Sequence, residues 1–132
     1  MKRFLATICL FWAMQAGAST QANDVFIPIA KYMATGDAES LSAWFAPSLE
    51  ISLINTPPAY CSKAQATQIM KAFFKTYSPT DFVVSQQASK GRLKYALAQM
   101  KTSAEVFNVI IYVSLTPDRG YLIQQLQIEP NE

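Results

Sequence analysis

At 132 residues, 51% hydrophobic and only 15% charged, the chain is one domain's worth, neither a disordered tail nor a highly charged binder. Eleven Lys and Arg stand against nine Asp and Glu, and there is no histidine. That excludes histidine-based triads, imidazole general bases and metal sites built on imidazole.

Met1, Lys2 and Arg3 make a short basic start. An uncharged stretch runs from Phe4 to Met14, and Ala16, Gly17 and Ala18 follow. This order predicts a secretory signal peptide over residues 1–18, cut after Ala18, and an exported product, periplasmic or extracellular. The apolar run falls short of the roughly 20 residues that a membrane span needs. Without Lys2 and Arg3 the mature chain carries nine basic and nine acidic residues. No basic surplus is left to neutralise phosphates, so nucleic acid is not an expected partner. Of the two cysteines only Cys61 remains, which leaves no internal disulfide, and stability must come from a core.

Residues 19–23 read as a disordered mature N-terminus, and residues 24–129 as a single domain. Val25, Ile29, Tyr32 and Met33 recur at helical spacing and predict a helix over 24–35, with Pro28 tolerated in its first turn. Gly36 ends it and Asp37 caps a short second helix, whose apolar side is Leu41, Trp44 and Phe45 and which Pro47 stops. Residues 49–53 alternate as a half-buried strand. Thr56 to Tyr60, with two prolines, reads as a loop. Ser62 and Gln65 form a capping box for a third helix that turns Ala66, Ile69, Met70, Phe73, Phe74 and Tyr77 to one side. Four strand-like runs follow, starting near Phe82, Arg92, Val106 and Tyr121, with turns at 89–91, 101–103 and 117–120. The short connections predict antiparallel hairpins, giving an α+β fold with helices on one face of the sheet.

Several segments also look familiar in order: Ile27 to Tyr32, Gly36 to Glu39, Leu41 to Phe45, Ile69 to Phe74, Lys94 to Ala96 and Tyr121 to Glu129. Together they resemble a family of short, secreted Bacteroidetes proteins, domain of unknown function 4783. That resemblance implies a nuclear transport factor 2-like, cystatin-like cone, in which a strongly curved antiparallel sheet wraps three helices. The fold hosts ketosteroid isomerases, dehydratases and non-catalytic binding or dimerisation domains, so it selects no function by itself. No catalytic residue carries over from the family.

An isomerase- or dehydratase-like enzyme would need a pocket carboxylate beside a tyrosine. The acids on offer are Asp37, Glu50, Asp81, Glu105 and Asp118, none of them within an apolar run. Asp37 reads as a cap, Asp118 as a turn residue and Glu50 as solvated. A non-catalytic binding or interaction domain is therefore favoured, with no cofactor or metal implied by any motif. If Leu93, Tyr95, Leu97 and Gln99 line the cone with Leu122, Gln124, Leu126 and Ile128, then Tyr95, Gln99 and Gln124 are its polar groups. A small apolar ligand would be its guest, with Tyr60 at the mouth. Cys61 reads as a structural thiol.

The strand from Val106 to Leu115 has one wholly apolar face, Phe107, Val109, Ile111, Val113 and Leu115. The other carries Asn108, Ile110, Tyr112 and Ser114, without charge. Alongside it the outer positions are expected to be Ala96, Ala98 and Met100, then Tyr121, Ile123, Gln125 and Gln127. A weakly polar sheet face of that size predicts a two-fold homodimer centred on Ile110, Tyr112 and Ile123. A purely structural, dimerising domain is the variant of this reading in which the cone is filled.

Overall fold

The computed structural model describes residues 24–54 and 56–131. The expected leader, residues 1–18, and the segment 19–23 lie outside the described residues. Among the described residues, three helices, α1 (Phe26–Thr35), α2 (Ala38–Ser42) and α3 (Lys63–Thr76), accompany six strands: β1 (Phe45–Ser52), β2 (Ala59–Ser62), β3 (Pro79–Lys90), β4 (Leu93–Thr102), β5 (Val106–Thr116) and β6 (Gly120–Pro130). The strands form one curved, unclosed sheet in the order β2-β1-β6-β5-β4-β3. No helix among the described residues is long and apolar enough to cross a membrane.

Local chemistry sets the helix ends. Asp24 Oδ1 accepts from the Phe26 N–H at 2.9 Å, and Pro28 sits in the first turn, where its missing donor has no partner to lose. Gly36 ends α1 at φ 70°, and a Cβ there would press on the Pro79 ring at 3.2 Å. Asp37 then caps α2, accepting from Ser40 N at 3.1 Å and from Ser40 Oγ at 2.7 Å. The capping box of α3 is closed on both sides, Gln65 N to Ser62 Oγ at 3.1 Å and Ser62 N to Gln65 Oε1 at 2.9 Å.

The strands depart from the sequence reading in four places. Phe45 belongs to β1, not to the second helix, and Pro47 lies within that strand rather than stopping a helix: α2 ends at Ser42, and Phe45 pairs with Ile123. Pro47 falls inside the register shift between Phe45 and Glu50, where a strand can do without an N–H. Tyr60 lies in a strand rather than a loop, because β2 pairs antiparallel with β1 just after the two prolines. The sheet is not wholly antiparallel either. β1 and β6 run parallel, a pairing that needs a long crossover, supplied here by everything between them.

The fourth departure concerns which side chains face inward. Ala96, Ala98 and Met100 are buried in the core, so Leu93, Tyr95, Leu97 and Gln99 point to the outer face. Both faces of β4 carry apolar residues, and the helix side takes the small alanines, which let α1 lie close over the sheet. On β6, Tyr112 pairs with Gln125 while Val113 pairs with Ile123. Gln124 is therefore an extra residue, and the inward alternation changes phase across it. Ile123, Leu126 and Ile128 all enter the core, and Ile123 is fully buried. Four of the five residues expected on the apolar face of β5 enter the core, Phe107, Val109, Ile111 and Val113 each being at most 1% exposed, whereas Leu115, near the strand's end, is 37% exposed.

Candidate functional site: the outer face of the sheet

Tyr95, Gln99 and Tyr112 share the face away from the helices. Three cross-strand pairs follow one another there along β4 and β5: Gln99 with Asn108, Leu97 with Ile110, Tyr95 with Tyr112. The ladder passes from amides through aliphatics to aromatics without a charge. Tyr95 and Tyr112 meet edge to face, ring centroids 5.7 Å apart at 66°, a favourable quadrupole arrangement. On β6 the same rows continue as Gln125 beside Tyr112, Gln127 beside Ile110 and Glu129 beside Asn108.

Where the amide row crosses the sheet, a slot of about 320 Å³ opens, lined by Ser85, Leu97, Gln99, Asn108, Ile110 and Glu129. Ser85 is brought to it by a bulge in β3, since Val84 pairs with Ala98 and Gln86 with Leu97. The Ser85 hydroxyl donates to the Leu97 carbonyl at 3.1 Å, which leaves its oxygen lone pairs free. Gln127 Nε2 donates to Glu129 Oε2 and holds that carboxylate in place. The side-chain amides of Gln99 and Asn108 have no hydrogen-bond partner among the described residues. Leu97 and Ile110 form an apolar floor. The slot thus presents a carboxylate, two amides and a hydroxyl, and no cation.

The residues expected to line the cone are not brought together inside it. Tyr95 and Gln99 face outward, and Gln124 is half-buried in the β6 bulge. Tyr60, 77% exposed, sits on edge strand β2, four strands away from β4. There it lines a separate open groove of about 530 Å³ with Cys61, Gln65, Gln68 and Ile69. Of the three residues expected at a dimer interface, Ile110 and Tyr112 are half-buried on the outer face, whereas Ile123 is in the core. Neither Ser85 nor Glu129 stands out in the sequence as a site residue. The bulge in β3 and the register across four strands bring them together, and neither is written in any one segment.

Of the acids considered for catalysis, Asp37 and Asp81 serve local structure. Asp37 is an exposed cap, and the Ser40 N–H and hydroxyl hold its carboxyl below the ordinary aspartate value of 3.8. A lowered folded value means that its stabilisation is present above the unfolded pKa and is lost as pH falls through the folded one. The stability difference between wild type and Asp37→Asn should therefore shrink as pH drops below 3.8. Urea titrations at several acid pH values check this. Asp81 Oδ1 accepts from its neighbour Phe82 N at 2.9 Å, and Glu50 lies between Tyr60 and Gln125. The cross-strand neighbours of Tyr95 are Ala88 and Tyr112, so no carboxylate is paired with that ring. The Cys61 thiol donates to the Leu49 carbonyl at 3.7 Å, and burial pushes its pKa up despite the nearby helix start.

Solved structures of similar proteins share this architecture. A DUF4783 family protein from Bacteroides ovatus superimposes with a TM-score of 0.77 at 18% identity, over 83% of this chain and 98% of that one. One from Bacteroides fragilis gives 0.76 at 16% identity, over 82% and 100%. A cystatin-like domain of unknown function from Nostoc punctiforme gives 0.68 at 14% identity, over 86% and 80%. No curated protein matches the sequence. The model of the domain of unknown function DUF4783 matches residues 26–129, every helix and all but the last residue of the final strand, and the chain belongs to that family.

Proposed function

We propose that the protein is an exported, non-catalytic interaction domain that works as a two-fold homodimer through the outer face of its sheet. The observation that carries this reading is the uncharged ladder of Gln99 and Asn108, Leu97 and Ile110, Tyr95 and Tyr112. A sheet face turned to water normally alternates polar and charged residues, and a contiguous weakly polar stretch fits a partner instead. The interface centre is Leu97, Ile110, Tyr95 and Tyr112, with Ile123 of β6 replaced by Tyr95 and Leu97 of β4. Aromatic and aliphatic anchors at the centre with polar residues at the rim is the composition that protein interfaces favour.

Ile110→Glu tests this. Ile110 touches solvent already, so the substitution should leave the domain folded, with an unchanged circular dichroism spectrum. It should convert the dimer to a monomer in sedimentation, because a carboxylate at the centre would be buried twice across the two-fold. A variant that sediments as the wild-type dimer would contradict the reading.

A further inference from the structure

The outer face is electrically lopsided along the strands. At one end stand Lys90, Arg92 and Arg119 against Asp118, from the β3–β4 and β5–β6 turns. At the other stand Asp81, Glu105 and Glu129 against Lys101. Two copies packed with like ends together would repel each other, and a reversed arrangement sets unlike ends together.

The register sharpens this into one contact. Lys90 is exposed on β3, opposite Leu93 and on the outer side of the pleat. Glu129 lies on β6, opposite Asn108, which is itself opposite Gln99. The point halfway between them falls between β4 and β5, and between the Tyr95–Tyr112 and Leu97–Ile110 pairs. That is the apolar centre of the ladder, reached here from the charges alone. A two-fold axis lying over this point, at right angles to the line joining the two residues, exchanges their positions.

Resting on the dimer reading above, we infer that the slot beside Glu129 is the receptor for the ammonium group of Lys90 of the partner subunit, so that two such contacts fix the register of the homodimer. An ammonium carries three donors and no acceptor. The slot offers it the Glu129 carboxylate, the Gln99 and Asn108 amide oxygens and the Ser85 hydroxyl, over a floor of Leu97 and Ile110 for the lysine stem.

Within one chain, three strand steps and six residue levels separate Lys90 from Glu129, roughly 25 Å at the usual spacing and rise. A zero-length carbodiimide cross-link between them can therefore form only between chains. Peptide mass spectrometry of the cross-linked wild-type dimer should find the Lys90–Glu129 amide. Lys90→Glu and Glu129→Lys should each weaken dimerisation at least about ten-fold, since each acts at both contacts. The double exchange should recover most of that loss. A wild-type dimer that shows no such cross-link and tolerates both single variants overturns the register but leaves the dimer standing. A wild-type monomer overturns both.

Discussion

Ile123→Glu should abolish folding, whereas Ile110→Glu, the same change on the adjacent strand, should not. Ile123 is fully buried and lies between Phe45 and Val113 in the sheet, in a core lined by α1 and α3. Its surroundings are apolar core side chains, and burying a charge among them costs several kcal/mol. A domain of this size has only about 5–15 kcal/mol in total. Ile110 lies on the outer side of the pleat, two residues from Tyr112 and on the same face, already in contact with water. Circular dichroism and one two-dimensional amide spectrum of each variant decide the matter. A folded Ile123→Glu would mean that β6 presents that residue outward and that the bulge at Gln124 has been misplaced.

Phe107→Ala should cost about 3–5 kcal/mol of unfolding free energy, the range for a large core aromatic cut to a methyl group. Phe107 is fully buried and joins the sheet to the last turns of α3. Its ring meets Phe73 at 5.6 Å and Tyr77 at 5.0 Å, both edge-on. Across the sheet it stands beside Met100 on β4 and Pro130 on β6. The two remaining rings, Phe73 and Tyr77, pack on each other at 5.1 Å and cannot fill the void without giving up that contact, so the cavity term adds to the lost transfer energy. Urea unfolding with an unchanged m-value measures the difference. A loss below about 1 kcal/mol would show that the aromatic cluster repacks freely, against the close packing expected of a protein interior.

The helices were legible because their signals are local. Asp37 and Ser40, Ser62 and Gln65, and Gly36 each act within a few residues, and the structure places every one of these caps where the spacing indicates. The face of β5 was legible too, since one side is wholly apolar and the other is not. β4 defeated the same logic. Its two faces are alanine and methionine against leucine and tyrosine, and bulk suggests the wrong one, because room for α1 favours the small residues. On β6 a single extra residue, Gln124, shifts the phase, so Leu126 and Ile128 face inward as expected while Ile123, ahead of it, turns inward too, and nothing in the alternation marks the shift. The slot was least legible of all. Ser85 needs a bulge, and Glu129 needs the register of β3 to β6, so the site exists only once four strands are aligned.

The central claim is that the outer face joins two copies of the chain, and sedimentation equilibrium of the purified wild-type protein over a micromolar concentration series tests it most directly. The expected mass is that of two chains, falling toward one on dilution and falling sooner in high salt, where the end charges are screened. The mass of a single chain throughout the series would contradict it.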